Sequence, residues 1–307
     1  MNYAIYKLHF PKGVHFGQTT LESAEMTFQA DRLFSALCTE AVSQGGDALD
    51  SLVSMAEEGK VLLSDAFPYE EEEYFLPKPL LRVEHARQEE DIGKRKLYKN
   101  LSYLPLSSFS EYLEGRLQVE DLPELQFGGN DMKVSVQLEL GEEAVPYRIG
   151  TFFFREGCGL YILVGYERKE DLMFVEGLLE SLSFSGIGGR RSTGMGRFEL
   201  RMGTLPKEGI QRMDGEYSYY MNLSVALPEQ EELARALEGA RYLLEKRSGF
   251  VASERYAPEP RRKRDVYAFQ AGSCFPCRFR GQIRDVSNRG QHPVYRYLKP
   301  IFMGIGT

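Results

Sequence analysis

Along the first 200 residues the apolar side chains switch from a period of two to a helical period and back, twice, and that order restricts the folds open to the chain. Residues 2–10, NYAIYKLHF, alternate as a half-buried strand does. From Asp31 onward, Leu33, Phe34, Leu37, Cys38, Ala41 and Val42 recur at helical spacing, and Gly45-Gly46 ends the run. A short apolar strand is predicted from Lys60 to Ser64, followed by the proline-containing FLPKPLL at 75–81 and a charged stretch, Arg82 to Asn100, expected to be mobile. Residues 132–140 alternate cleanly, and 147–154 with 159–166 predict a hairpin turned at Glu156-Gly157. Helical spacing returns at Leu172, Val175, Leu178, Leu179 and Leu182, and Arg197 to Met202 predicts one more strand.

Without its insertions this order is strand, helix, strands, helix, strand, the order of a ferredoxin-like split βαβ domain. A second start follows. Residues 216–226 predict a strand, Pro228 suits a first helical turn, and Leu233, Leu237, Ala240 and Leu244 mark one helix face. Phe250-Val251-Ala252 would begin the next strand. The expectation is an α+β fold of two packed ferredoxin-like domains, residues 1–205 and 206–307, the second degenerate and short of its final helix. No low-complexity linker separates them.

The sequence has 42% hydrophobic and 27% charged residues, a soluble globular composition that excludes disordered and collagen-like chains. It shows neither a signal-peptide core nor an 18-residue apolar run, so a cytoplasmic protein is expected. Four scattered cysteines give no disulfide framework, in keeping with a reducing compartment. Cys274 and Cys277 form a CxxC, but Cys38, Cys158 and His292 are too remote in sequence to suggest a tetrahedral site, and no metal is expected.

A net charge of −7 argues against a protein that coats nucleic acid indiscriminately, yet the charge is unevenly spread. Residues 57–90 carry ten acidic against four basic side chains, whereas 255–299 carry eleven basic against three acidic. The acidic run Glu70 to Glu73 is expected to be a solvated loop.

Residues 185–201, SGIGGRRSTGMGRFELR, concentrate five glycines and four arginines between the predicted second helix and the strand after it. A dinucleotide fingerprint would place a third glycine where Arg191 stands, and would follow a strand rather than a helix. A phosphate-binding loop of the Walker type would need a lysine that is absent between Gly186 and Gly196. The remaining chemistry is a polynucleotide backbone. Gly186, Gly188, Gly189, Gly194 and Gly196 would expose main-chain N–H groups, and Arg190, Arg191 and Arg197 with Ser192 and Thr193 would meet phosphate oxygens. The plain alternative is a tight helix-to-strand connection, which needs one or two glycines rather than five.

The segment GIGGRRSTGMGRFEL resembles, in position and basic character, the glycine-rich loop of the RAMP superfamily of CRISPR-associated RNA-binding proteins. ADRLFSALC at 30–38 resembles that superfamily's first helix, and FLPKPLL at 75–81 and KRKLYKNLSYLPL at 94–106 resemble the segments after it. AGS at 271–273 and HPVYRYLKPIFMGI at 292–305 resemble a C-terminal signature. Nearly end to end, the joint pattern is similar to the subunit-four family of type III-A CRISPR (Csm) effector complexes. The cysteine after AGS departs from the hydrophobic residue usual there. The resemblance implies a non-catalytic scaffold of antiviral defence, without cofactor, small-molecule substrate or membrane contact. Its partners would be crRNA, held by the repeat-derived 5′ tag, the large polymerase-like Csm subunit and the backbone RAMP Csm subunit.

Further RNA contacts are expected at Lys12, His15 and Gln18 in the loop after the first strand, and at Arg32, beside a helix N-terminus that favours phosphate. Asp31 is expected to cap that helix. Lys94, Arg95, Lys96 and Lys99 are candidates for RNA or the backbone subunit, and the run RRKR at 261–264 for the large subunit. Tyr295 and Arg296 would stack on or clamp a base. The rival function is a RAMP endoribonuclease that processes precursor crRNA, with His15 as acid and base, helped by Tyr6 and Lys12. Against it, the glycine-rich loop of processing enzymes closes the second domain, whereas here it closes the first.

Overall fold

The computed structural model describes residues 1–17, 21–81, 92–118, 122, 125–137, 145–253 and 255–306. The first half contains β1 (Asn2–His9), α1 (Ala30–Gln44), α2 (Ala48–Glu58), β2 (Val61–Leu63), β3 (Phe67–Glu70), β4 (Glu73–Pro77), α3 (Ile92–Asn100), β5 (Tyr103–Pro105) and α4 (Phe109–Leu113). It continues through β6 (Gly128–Gln137), β7 (Val145–Phe154), β8 (Cys158–Tyr166), α5 (Lys169–Ser185) and β9 (Glu199–Met202). The second half contains α6 (Lys207–Asp214), β10 (Tyr220–Asn222), α7 (Leu233–Leu237), β11 (Leu244–Arg247), β12 (Val266–Phe269), β13 (Cys274–Phe275), β14 (Gln282–Asp285), β15 (Tyr295–Leu298) and β16 (Phe302–Gly304).

The result is a mixed α/β fold with antiparallel sheets. Seven strands share one sheet in the order β5-β4-β3-β8-β1-β9, with β2 also paired to β8. Strand β8 explains its own apolar sequence. It has β1 along one edge and β3 then β2 along the other, and both of its faces are covered. Alternation survives only as a choice between two cores: Leu160, Ile162 and Val164 face one, and Tyr161 and Leu163 the other.

Helices α1 and α5 cover the first face with Leu33, Phe34, Leu37, Val175, Leu178 and Leu182. Glu40 of α1, buried between them, accepts hydrogen bonds from the hydroxyls of Ser181 and Ser185 on α5. The second half joins both cores, with Val225, Tyr297 and Leu298 on one side and Met221, Leu223 and Ile301 on the other. At the seam, Leu63 N–H donates to the Tyr297 hydroxyl at 2.8 Å, and the Ser224 hydroxyl donates to Leu63 O at 2.8 Å.

Several expectations are corrected. Residues 147–154 and 159–166 do not form a hairpin: β7 pairs with β6 in a separate ribbon, because both edges of β8 are already taken. The turn at 155–157, where Cys158 N–H donates to Arg155 O and Gly157 has φ +77°, carries the chain from ribbon to sheet. Residues 92–100 of the stretch expected to be mobile form α3, while 82–91 lie outside the described residues. The strand expected at 216–226 is only the three-residue β10. The helix expected to reach Leu244 stops at Leu237. Gly239 turns left-handed, Arg241 bridges Cys274, and Leu244 belongs to β11. Phe250 makes a single bridge, to Arg262, and starts no strand.

Candidate nucleic-acid interface

After α5 the chain enters the glycine-rich loop, which closes on itself and on residues 13–17. Ile187 N–H donates to Gly196 O at 2.9 Å, Gly189 N–H to His15 O at 2.9 Å, and Gly196 N–H to Gly13 O at 3.1 Å. The approach is too tight for side chains. A Cβ on Gly196, at φ +73°, would lie 2.0 Å from Ile187 O, and one on Gly188, at φ +98°, 2.9 Å from His15 O. The N–H groups of Gly186, Thr193 and Gly194 are also spent inside the protein. The expectation that the glycine N–H groups supply the anion site is therefore corrected at Gly186, Gly189, Gly194 and Gly196: much of the glycine content serves the loop's folding.

Of the loop's basic side chains, Arg191 stands on a 3-10 turn over Arg191–Thr193 and Arg190 immediately precedes it. Arg190 holds a left-handed backbone at φ +59°, and its guanidinium lies 4.7 Å from the Tyr147 ring centroid on β7. Thr193 donates its hydroxyl to Arg190 O at 2.8 Å. Ser192, Thr193 and Arg197 are exposed, and exposed Lys12 reaches the turn, its Nζ 3.8 Å from where a Cβ of Gly194 would stand.

His15 is buried beneath this loop and donates Nδ1–H to Gly150 O at 2.7 Å. Tyr6, the tyrosine of the expected acid-base trio, is buried in the core beneath α5. Its pKa is raised well above the ordinary value by burial and by Glu176 of that helix. Together these positions do not assemble a general acid and base around His15. Gln18 lies outside the described residues.

Asp31 is not a cap. The N-cap position is Gln29, and Ala30 N–H is taken by Asp65 Oδ1 at 2.7 Å. Asp31 instead receives Arg247 through two bonds of 2.6 and 3.1 Å, and Arg296 through a third. Burial alone would raise its pKa, but the two guanidiniums outweigh burial and hold the carboxyl below its usual range. Arg296 is therefore not presented to solvent as a clamp: it is 4% exposed and committed to Asp31. Tyr295, one residue away on β15, points to the other side, where it feels Glu57 and Asp50 of α2. Lys96 and Lys99 are exposed on α3, whose Tyr98 packs into the core of the opposite sheet face, away from Asp31. The side chains of Lys94 and Arg95 lie outside those described.

Between the glycine-rich loop, the start of α1 and the second half lies a cleft of about 410 Å³. Among the described residues its lining includes five cations, Arg32, Arg191, Arg247, Lys263 and Arg296, against the single carboxylate of Asp31. Their crowding is visible in their ionisation. Burial and Arg247 lower the Arg32 pKa, and burial and Arg296 lower that of Lys263. Arg32 donates to Gly17 O at 3.2 Å and Lys263 to the Ser35 hydroxyl at 3.3 Å, so both are held in place. Such a site favours an anion.

Sequence reasoning placed His15, Arg32, Arg191, Arg296 and three of the loop's glycines here but missed Arg247 and Phe250, and gave Lys263 to a docking surface. The legible signal was the basic excess over 255–299; what it lacked was the alternation along 261–264, which turns Lys263 inward and Arg262 and Arg264 outward. The two CxxC thiols lean on carbonyls, Cys274 on Gly272 O at 3.2 Å and Cys277 on Arg235 O at 3.8 Å.

The family model of the CRISPR Csm4 C-terminal domain matches residues 215–305. The chain is 37% identical over 308 residues to a Mycobacterium tuberculosis H37Rv protein described as CRISPR system Cms protein Csm4, covering 99% of this chain and 98% of that one. It is 35% identical over 310 residues to a Streptococcus thermophilus protein of the same description, covering 98% of each. The fold is similar to a chain in the crystal structure of the Csm3-Csm4 subcomplex of the type III-A CRISPR-Cas interference complex, with TM-score 0.70, 18% identity and 98% of each chain covered. A chain in the Csm1-Csm4 cassette with pppApA gives TM-score 0.65 at 21% identity, with 99% of this chain and 98% of that one covered. With full-length identity well above what a shared fold alone requires, this chain belongs to the Csm4 family of CRISPR-associated proteins.

Proposed function

We propose that the chain is a non-catalytic, cytoplasmic RNA-binding subunit of a type III-A effector complex, and that its cationic cleft holds the repeat-derived 5′ tag of crRNA. The observation that carries this reading is the cleft itself, five cations around one internal carboxylate with the glycine-rich loop as one wall. Its volume is that of a site for a small molecule, which suits an extended single strand rather than a duplex. Arg190, Arg197 and Lys12 continue the positive surface outside the cleft.

The first half supports the ferredoxin-like reading of residues 1–205. Its strands β2, β8, β1 and β9 lie side by side in the order of a split βαβ unit, with α1 and α5 on one face. Residues 206–307 form the second, degenerate domain. As a scaffold the chain bridges the large polymerase-like subunit and the backbone RAMP subunit, a role supported by relatives whose solved assemblies are named for Csm1 with Csm4 and Csm3 with Csm4. No helix among the described residues is long and apolar enough to cross a membrane.

The test is to recover the tagged chain from its native cells and sequence the RNA that accompanies it, with Arg190→Glu/Arg191→Glu alongside. A shared 5′ tag with the two partner subunits, lost from a folded double variant, is the expected result. Wild-type-like retention by that variant overturns the assignment of the loop. RNA cut at one internal repeat position without partners would instead put His15 to the test as a nuclease residue.

A further inference from the structure

Phe250 stands on the rim of the cleft with 57% of its surface exposed, the only Phe or Tyr among the cleft's described lining residues. Its backbone is fixed. Phe250 bridges Arg262, Val251 N–H donates to Arg261 O at 2.9 Å, and Lys263 N–H donates to Gly249 O at 2.8 Å. The Arg262 guanidinium covers the ring at 5.1 Å from its centroid. Two residues of one short pairing thus face two ways: Lys263 turns its ammonium into the cleft, and Arg262 lies on the ring at the entrance.

An exposed aromatic ring costs hydrophobic burial, and here the cost is borne at the mouth of an anion site by a residue held from both sides. Single-stranded nucleic acid is bound by this combination, a cationic groove for phosphates and an aromatic face for a base, with a guanidinium adding a cation–π contact. We propose that Phe250 is a stacking platform for one unpaired base of a single-stranded RNA whose adjacent phosphates enter the cleft. The proposal rests on the reading that the cleft holds RNA, and it adds the register: one base is anchored at the second half's rim while the backbone passes between Arg191 and Lys263. Stacking of this kind tolerates any base, because every base has a π-face.

The experiment uses the full chain and a single-stranded RNA carrying the 5′ repeat-derived segment, with a series in which each nucleotide in turn is abasic. Phe250→Ala is expected to weaken binding by roughly ten- to a hundredfold without changing the salt dependence, and Phe250→Trp to bind as the wild type. One abasic position should reproduce the loss, and combining it with Phe250→Ala should add nothing further. If Phe250→Ala binds normally while Arg190→Glu/Arg191→Glu does not, the platform is wrong and the RNA cleft stands. If both bind normally, the cleft reading fails as well. Full additivity of the two losses, or a Phe250→Ala chain that keeps RNA and loses only the large subunit, also overturns the stacking role.

Discussion

Asp31 of α1 and Arg247 of β11 are joined by two hydrogen bonds, Oδ1 to Nη2 at 2.6 Å and Oδ2 to Nε at 3.1 Å, across the seam between the halves. Their side chains are only 4% and 13% exposed, and Arg296 completes the cluster. The carboxylate is therefore the counter-ion that lets two guanidiniums sit side by side inside a crowded cationic cleft.

Removing that counter-ion should be costly, since it leaves Arg247 only the looser contact with Glu245 at 3.8 Å and takes the carboxylate from Arg296. Asp31→Ala is expected to lower the unfolding free energy by about 3–5 kcal/mol in chemical denaturation. The pH dependence has a definite sign. The folded pKa is depressed, so the stabilisation is complete above the unfolded value of about 3.9 and is lost as pH falls through the lower folded value. An acid-unfolding curve unchanged by the substitution would contradict this account.

Asp65 behaves oppositely. Its Oδ1 accepts from Ala30 N–H at 2.7 Å and Val225 N–H at 2.9 Å, and burial, with Glu245 nearby, pushes its pKa up to about 8. Because the folded state binds this proton more tightly than the unfolded chain, stability should decline between about pH 4 and 8, at most about 1.4 kcal/mol per unit. Asp65→Asn keeps an acceptor for both N–H groups and removes the titration. Denaturation at pH 5 and pH 8 should show that part of the slope vanish; an identical slope in the variant would exclude Asp65 as its source.

What was legible in the sequence followed from period and composition. Helices α1 and α5 emerge from local patterns because each buries one face against a continuous core, and β1 because its alternate residues divide between two cores. Pairing is a different matter. Residues 147–154 alternate as well as any hairpin partner, but nothing local says that both edges of β8 are claimed from about 90 to 160 residues away. The site failed in the same way. Asp31 has the residue type and place of a cap, and only the arrival of Arg247 and Arg296, more than 200 residues on, turns it into an ion-pair centre. Phe250 has no pattern at all, since exposure at a rim has no periodic signature.

Two glycines with the same backbone hand separate local strain from loop folding. Gly45, at φ +77° and ψ −169°, has open space where a Cβ would go, so Gly45→Ala meets no neighbour and should cost only the backbone strain of a region nearly reserved for glycine, about 1–3 kcal/mol. Gly196, at φ +73°, would drive its Cβ into Ile187 O at 2.0 Å. Gly196→Ala must therefore either open the Ile187–Gly196 contact or destabilise the chain beyond the Gly45 cost, and RNA retention should fall with it. Equal thermal stabilities and equal RNA retention for the two variants would mean the loop is not held as described.

Lys263 offers the most direct reading of the cleft's electrostatics. Among the described residues its ammonium is anchored by the Ser35 hydroxyl at 3.3 Å, and burial with Arg296 nearby lowers its pKa. The group thus sits where an incoming phosphate relieves repulsion that the protein itself cannot. If it neutralises one phosphate, Lys263→Ala should reduce the slope of log K against log salt by about 0.7, the single-strand value for one contact. Affinity should fall most at low salt and converge on wild type as salt rises. A parallel displacement of the whole line, with the slope preserved, would mean that Lys263 shapes the cleft without touching the RNA backbone.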